Sequence, residues 1–381
     1  MKSENFPEQN NKKNVIITTL TSYRPETILT NEEIEQDFYD KAKEEITETL
    51  DKGQSKDKYK HYGTYLESLK RKGGEDPIFE KVGIKSRTSV GDKERTSDMV
   101  IKVGKELLEK IDLNPKEKIA FITGTLSAEY NWPSVSAIAM RGLELTPEKG
   151  YSRMTGYDIN AACSGWTLAI ADAKAKLIGD GFMSALVFSS DTMTKMVDKY
   201  DKSRILFGDG ATGALLEIEK PESTGFRILG TDSKTDAQKL EDVYYANKLA
   251  IGIEDENIRN RMNLNGEEVY KAGIEHSVTF IKEYLERNSF SLEDFDYVIP
   301  HQANGAMLTG IDKQLNLGEN KYGKKKLLSN IEYTGNTAAS SVPLCLFDHK
   351  ESGHFKNGDR ILMCSFAAGF TLGIVDVEYK E

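Results

Sequence analysis

The 381-residue sequence predicts an α/β protein: two similar βαβ-rich halves packed together. Short apolar runs of strand length alternate with longer segments whose apolar residues recur at helical spacing. Each half also presents the same succession of strand, polar loop and helix, although no close sequence repeat is visible. The halves are assigned to 1–218 and 219–381.

The elements follow in order. Val15-Ile16-Ile17-Thr18-Thr19-Leu20 reads as a buried first strand, with a turn at Tyr23-Arg24-Pro25. Thr30-Asn31-Glu32-Glu33 places a capping residue ahead of acidic first-turn positions, a helix start. The segment 40–76 is dense in Lys, Glu, Asp and Gly; its alternatives are a solvated helical insertion or lid, and disorder. Alternation resumes at Gly83. A helix is expected over Ser97 to Ile111, a strand over Ile119 to Gly124, a helix over Ser134 to Leu143 and a strand over Gly156 to Ile159. A helix follows Cys163 to about Ile178, then a strand over Ala185 to Ser190.

Phe207-Gly208-Asp209-Gly210-Ala211-Thr212-Gly213 combines a glycine-rich turn with a following strand. It lacks the Lys-Ser/Thr ending of a phosphate loop, so its glycines point to tight packing or positive φ. In the second half a helix over Val269 to Glu286 leads to the strand Tyr297-Val298-Ile299-Pro300. A helix, a strand at Lys326-Leu327-Leu328, the loop Tyr333–Asn336 and another helix come next. Strands at Arg360 to Cys364 and Thr371 to Val377 end the chain, joined by Ser365–Phe370.

Bulk properties narrow the function. A net charge of −10 opposes general nucleic-acid binding, which depends on Lys and Arg neutralising phosphates. No apolar run is long enough to span a bilayer, and Met1 to Lys13 lacks the apolar stretch of a signal peptide. Three cysteines (Cys163, Cys345, Cys364) without metal-ligand spacing fit a reducing compartment, so the cytoplasm is expected.

Cys163 lies in Asp158-Ile159-Asn160-Ala161-Ala162-Cys163-Ser164-Gly165-Trp166, where a strand ends and a helix begins. Unpaired N–H groups and the positive end of the helix dipole favour thiolate at such a position, and the thiolate is the nucleophile. The alternative is a small core hydrophobe. His301 and Asn336 also fall at strand-to-loop junctions, where open α/β sheets gather their ligand sites. For His301 the alternative is a structural histidine, and for Asn336 a turn or cap residue.

Five segments in order resemble the β-ketoacyl-acyl-carrier-protein synthase III branch of the thiolase-fold condensing enzymes. They are Asp158–Gly165, Leu206–Ala211, His301-Gln302-Ala303-Asn304, Gly335–Pro343 and Phe366–Gly373. The resemblance covers nearly the whole chain outside 40–76. It implies a thiolase-like fold, a layered αβαβα structure, a homodimer and no cofactor or metal. It also implies two acyl-chemistry steps in one site. Cys163 would take an acyl group from an acyl-CoA or acyl-carrier protein, with the backbone N–H groups of Cys163 and Ala368 as oxyanion donors. Malonyl-carrier protein would then lose CO₂, with His301 and Asn336 donating to the thioester oxygen of the enolate. The Cys-His-Asn set matches synthase III and chalcone-synthase-like relatives, and His-Gln-Ala-Asn favours the former. Related outcomes are condensation of a β-ketoacyl thioester with cyclisation, acyl transfer without decarboxylation, and a non-catalytic acyl-binding subunit, against which the retained triad counts.

Several positions depart from the family pattern. Ala367-Ala368 replaces glycines, and Lys202 stands for an arginine that contacts CoA. Lys81 is the nearest basic candidate where a tryptophan and an arginine usually grip the nucleotide. Lysine lacks the planar fork of arginine, so a longer acyl group or a carrier-bound primer is expected rather than acetyl-CoA. Phe207, Asn304, Lys202, Lys81 and Trp132 are the expected substrate-binding residues. Trp132 matches a position whose aromatic side chain crosses a dimer interface; the alternative is a core tryptophan. The basic run Lys321–Lys326 is either a contact for an acidic carrier protein or a solvated loop.

Overall fold

The computed structural model describes residues 13–51, 76–237, 243–245 and 262–381. Apart from one-turn and 3-10 segments, the chain runs through β1 (Val15–Tyr23), β2 (Thr27–Thr30), α1 (Asn31–Asp51), α2 (Pro77–Val82), β3 (Ser86–Ser89) and α3 (Thr96–Glu109). It continues through β4 (Ile119–Gly124), α4 (Val135–Gly142), β5 (Met154–Ile159), α5 (Gly165–Gly179), β6 (Ser184–Thr192) and β7 (Asp209–Ile218). Then come β8 (Gly225–Thr235), β9 (Val243–Tyr245), β10 (Met262–Leu264), α6 (Gly266–Arg287) and β11 (Tyr297–Pro300). The last elements are α7 (Gly305–Leu315), α8 (Ser341–Glu351), β12 (Arg360–Ala367) and β13 (Thr371–Lys380).

Nine strands form one continuous sheet in the order β11-β12-β13-β8-β1-β7-β6-β4-β5. β1 is the seam. It pairs with β7 along most of its length but with β8 only through Val15–Ile17. The strands on the two sides of this seam repeat one order. Counting β1, β4, β5, β6 and β7 as one to five, the spatial order is three-two-four-five-one. β8, β11, the 326–328 segment, β12 and β13 give the same order, because Leu327 bridges Val298 in parallel at the outer edge of β11.

The layering follows from strands buried on both faces. In β4, Ala120 and Ile122 join one core while Ile119 and Phe121 join another. β12 divides likewise, Ile361 and Met363 on one face and Leu362 and Cys364 on the other. The shared core holds α5 (Trp166, Ala169, Ile170, Ala173) and α8 (Val342, Cys345, Leu346) between the two sides of the sheet. α3 and α4 cover the outer face of β4, β6 and β7, where Phe121 and Phe188 stack at 4.6 Å. α6 and α7 cover the outer face of β11–β13. The result is helix, sheet, helix, sheet, helix, each buried aliphatic side chain contributing roughly 1.5–3 kcal/mol.

Several expectations need correction. Lys326-Leu327-Leu328 is not a full strand: it makes a single bridge, with Val298 N–H donating to Lys326 O (2.8 Å) and Leu328 N–H to Val298 O (3.0 Å). Lys326 itself is buried, its ammonium on Leu292 O and Glu293, so the segment is held by its side chain as well as by a ladder. Gly210 and Gly213 lie inside β7 rather than in a turn, and neither has positive φ. A Cβ on Gly213 would sit 2.9 Å from the Phe188 ring, so close packing explains them. β8, with its exposed second half, has no compact apolar run and was not legible in the sequence. The 40–76 segment begins as the end of α1, while 52–75 lies outside the described residues. The α1 start is as expected: Glu33 accepts from Thr30 N–H (2.7 Å), and Glu33 N–H donates to Thr30 Oγ1 (3.2 Å).

Candidate active site

Cys163, His301, Asn336, Phe207, Asn304 and Ala368 line one cavity of about 910 Å³. The fold brings them there by strand ends. β5 and β11 end at Ile159 and Pro300, and the loops that follow turn into the central and outer helices. Among the described residues no group of three or more His, Cys, Asp or Glu could hold a metal ion.

Cys163 occupies a 3-10 turn, Ala162–Ser164, that precedes α5, and Ala162 is held at φ +43. Asn160 Oδ1 accepts the Ala162 N–H at 3.4 Å, and Ser164 Oγ donates to Thr371 O at 2.8 Å. Two influences oppose the thiolate that the helix start favours. Burial pushes the Cys163 thiol up to about 12, the Asp191 carboxyl acts in the same direction, and the cysteine's own backbone N–H opposes them only partly. α5 begins two residues later, at Gly165. Cys163 packs against an apolar cluster of Met193, Val197, Phe207 and Ala338.

His301 is buried, and burial alone pulls its imidazolium down to about 3, so the ring is neutral near pH 7. Its backbone N–H donates to Cys364 O (2.7 Å), continuing the β11–β12 ladder. Nδ1 lies 2.6 Å from Ser341 Oγ, and Phe366 meets the ring edge-on at 5.2 Å. Asn336 is fixed through its backbone: its N–H donates to Leu206 O (2.8 Å), and Gly208 N–H donates to Asn336 O (3.1 Å). This parallel bridge sets Phe207 beside Asn336. Asn336 Oδ1 accepts the Ala338 N–H at 2.9 Å. Its carbonyl end is occupied by a turn, which leaves the Nδ2 amine for a ligand.

Asn304 caps α7, its Oδ1 accepting from Met307 N–H at 2.8 Å, and it lines both this cavity and an adjoining one of about 800 Å³. Lys81 and Lys202 line that outer cavity with Tyr200 and Tyr270. Trp132 lines neither cavity, although Tyr130, Asn131 and Ser134 next to it in the chain line the first. It is 82% exposed, so a core tryptophan is excluded, and Tyr130 two residues earlier is half exposed. Of the basic run only Lys326 is turned inward, and Lys321, Lys324 and Lys325 are exposed. Lys321 pairs with Asp296 and Asp359.

The sequence reading missed two residues beneath the site. Asp191, at the end of β6, accepts on Oδ1 from Thr125, Leu126 and Ser127 and on Oδ2 from the Ala339 N–H (3.0 Å). Burial pushes its carboxyl up to about 6 despite these donors. It ties the loop after β4 to the loop carrying Asn336. Its signal was a lone carboxylate ending an apolar strand, Ser189-Ser190-Asp191. The other is Ser341, whose only distinction is its neighbour in space.

Known proteins are similar to this chain in sequence and fold. The model of the 3-oxoacyl-[acyl-carrier-protein (ACP)] synthase III family matches residues 157–237, and that of the family's C-terminal part matches 285–379. The β-ketoacyl-[acyl-carrier-protein] synthase III of Clostridium tetani (strain Massachusetts / E88) is 31% identical over 301 residues, 76% of this chain and 87% of its own. That of Clostridium novyi (strain NT) is 28% identical over 371 residues, 94% of this chain and 97% of its own. The crystal structure of 3-oxoacyl-[acyl-carrier-protein] synthase III from Aquifex aeolicus VF5 superposes with a TM-score of 0.73 at 25% identity, covering 96% of this chain and all of the other. The fold is therefore that of the thiolase-fold condensing enzymes, which are acyltransferases. Within that class the chain belongs to the β-ketoacyl-[acyl-carrier-protein] synthase III family.

Proposed function

We propose that the protein loads an acyl group onto Cys163 from a CoA or carrier-protein thioester and condenses it with malonyl-carrier protein, in fatty-acid or polyketide-type biosynthesis. The observation that carries this reading is the state of His301 and Asn336. Both face the Cys163 cavity, and in Asn336 the acceptor end is already occupied. Two neutral side chains of this kind suit an oxygen that gains charge, not a proton to be removed.

In the first step the Cys163 sulfur attacks the thioester carbonyl, and its proton leaves with the departing thiolate as a free thiol. The apolar lining of Met193, Met196 and Phe207 receives the acyl chain. The backbone N–H groups of Cys163 and Ala368 are the proposed oxyanion donors. In the second step the malonyl C–C bond to the carboxylate breaks and releases CO₂, and the electron pair forms an enolate held by His301 and Asn336. The enolate carbon attacks the acyl carbonyl, a C–C bond forms, and the Cys163 thiolate leaves.

The finer assignments belong to the same reading. Lys81 and Lys202 at the outer cavity would contact the donor's phosphates, and lysines there favour a carrier-bound or longer primer. A homodimer is supported by the edge of β5, which is unpaired among the described residues, and by the exposed Trp132 and Tyr130. The two thiolase-like halves, 1–218 and 219–381, are supported by the shared strand order. Three free cysteines favour a reducing cytoplasm.

The test is mass spectrometry of Cys163 after incubation with a panel of acyl-CoAs and acyl-carrier proteins. An acyl adduct at Cys163, absent in Cys163→Ala, is expected, followed by release of a β-ketoacyl product when malonyl-carrier protein is added. Absence of any adduct across the panel would overturn the reading.

A further inference from the structure

Ser341 is the first residue of α8 and is buried, with its Oγ 2.6 Å from His301 Nδ1. A neutral imidazole carries one N–H, and the partner of one nitrogen decides which nitrogen holds it. Here the partner is a hydroxyl, which could donate or accept. A second contact resolves the choice. The backbone N–H of Gln302 can only donate, and it reaches the same Oγ at 3.4 Å. Were Nδ1 to donate as well, Oγ would accept twice and the buried Ser341 hydroxyl proton would have no acceptor among the described residues, so that proton goes to Nδ1. Nδ1 then accepts, and the ring proton sits on Nε2. His301 lines the cavity, and its Nε2 is not among the buried unpartnered atoms, as expected of a nitrogen that opens onto that space. Phe366, edge-on to the ring, offers no hydrogen-bonding group to compete for either nitrogen.

We infer that Ser341 is a positioning residue that holds His301 as the Nε2–H tautomer, so that the ring presents a donor to the cavity. The inference rests on the proposed reading only for its consequence, donation to the thioester oxygen of the malonyl unit. The tautomer itself is independent of it. The pairing joins the loop after β11 to the start of the buried helix α8.

Nitrogen-15 NMR of histidine-labelled protein reads the tautomer directly, and the decarboxylation of malonyl-CoA and malonyl-carrier protein reads the consequence. In the wild-type protein His301 should carry its proton on Nε2. In Ser341→Ala it should shift to a mixture or to Nδ1–H. Decarboxylation should fall about 100-fold, in keeping with the loss of one aligned donor, while loading of Cys163 changes less than about threefold. Ser341→Thr, which keeps the hydroxyl, should restore both the tautomer and most of the rate. A wild-type Nδ1–H tautomer would overturn the inference, as would a Ser341→Ala protein that keeps both tautomer and rate. If the wild-type protein neither loads nor decarboxylates, the proposed function fails, and the NMR result alone decides for or against Ser341.

Discussion

Asn160 and Asn336 make the same turn on opposite sides of the fold. Each side-chain oxygen accepts the backbone N–H two residues ahead, Ala162 at 3.4 Å and Ala338 at 2.9 Å. Each alanine has positive φ, +43 and +50. A 3-10 turn then leads into a central helix, α5 in one case and α8 in the other. In this correspondence Cys163 stands where Ala339 stands in the second turn. One turn thus presents a nucleophile and the other an amide.

This relationship separates two roles of Asn336. Asn336→Asp keeps an oxygen for the Ala338 N–H but removes the Nδ2 donor. Decarboxylation of malonyl-carrier protein should fall at least about 100-fold, while the urea midpoint stays close to that of the wild type. Asn336→Ala should lose about 1 kcal/mol in addition, through the unpaired turn N–H. Full turnover by the aspartate variant would remove Asn336 from the proposed enolate site.

The raised Cys163 thiol gives a pH dependence that a helix-start thiolate would not. With a value near 12, the thiolate fraction rises about tenfold per pH unit across the neutral and mildly alkaline range. Alkylation by iodoacetamide, followed on the Cys163 peptide, should climb from pH 7 to pH 9 without a plateau. Cys345 and Cys364, fully buried and also raised, should remain unmodified in the folded protein. A plateau below pH 8 would restore the dipole-activated thiolate.

The start of α5 depends on a close backbone contact. A Cβ on Gly124, at the end of β4, would fall 2.4 Å from the Gly165 carbonyl carbon. Neither backbone can yield without moving the turn that carries Cys163. Gly124→Ala should therefore destabilise the protein by about 1–3 kcal/mol and slow acyl loading of Cys163. Denaturant unfolding and intact-mass kinetics measure the two effects. Wild-type stability in this variant would mean that the contact is looser than described.

His301 also couples stability to acid. Its folded value near 3 lies below the ordinary 6.5, so the folded state refuses a proton that the unfolded chain accepts. The stability this group contributes is fully present above about pH 6.5 and is lost as pH falls towards 3. Asp191 and Asp209, both pushed up to about 6 by burial, act in the opposite sense, their contribution falling as pH rises from about 4 to 6. They are common to wild type and His301→Asn, so the difference between the two proteins isolates the histidine. Between pH 6.5 and 4.5 the variant should lose on the order of 2 kcal/mol less than the wild type. Parallel urea-unfolding curves at the two pH values would contradict the assignment.

The linear sequence was sufficient wherever a local pattern carries its own physics. β4 and β11 fall where continuous apolar runs place them, and α1 starts at the Thr30 capping box, because burial and capping act within a few residues. Cys163, His301 and Asn336 could be singled out because each polar group follows an apolar strand. What the sequence could not decide depends on groups far apart in the chain. β8 is held by β13 and by three residues of β1, not by its own composition. The 326–328 segment reads as a strand but makes one bridge. Trp132 was open between core and surface until its exposure was seen. The helix end that favours a Cys163 thiolate is visible in the sequence, while the burial and the Asp191 carboxyl that oppose it are not. The presentation of His301 likewise waits on Ser341, forty residues away. Propensity, capping and periodicity are short-range and can be read along the chain, whereas desolvation and hydrogen-bond polarity are set by three-dimensional neighbours and are decided only when the two sides of the sheet close on α5 and α8.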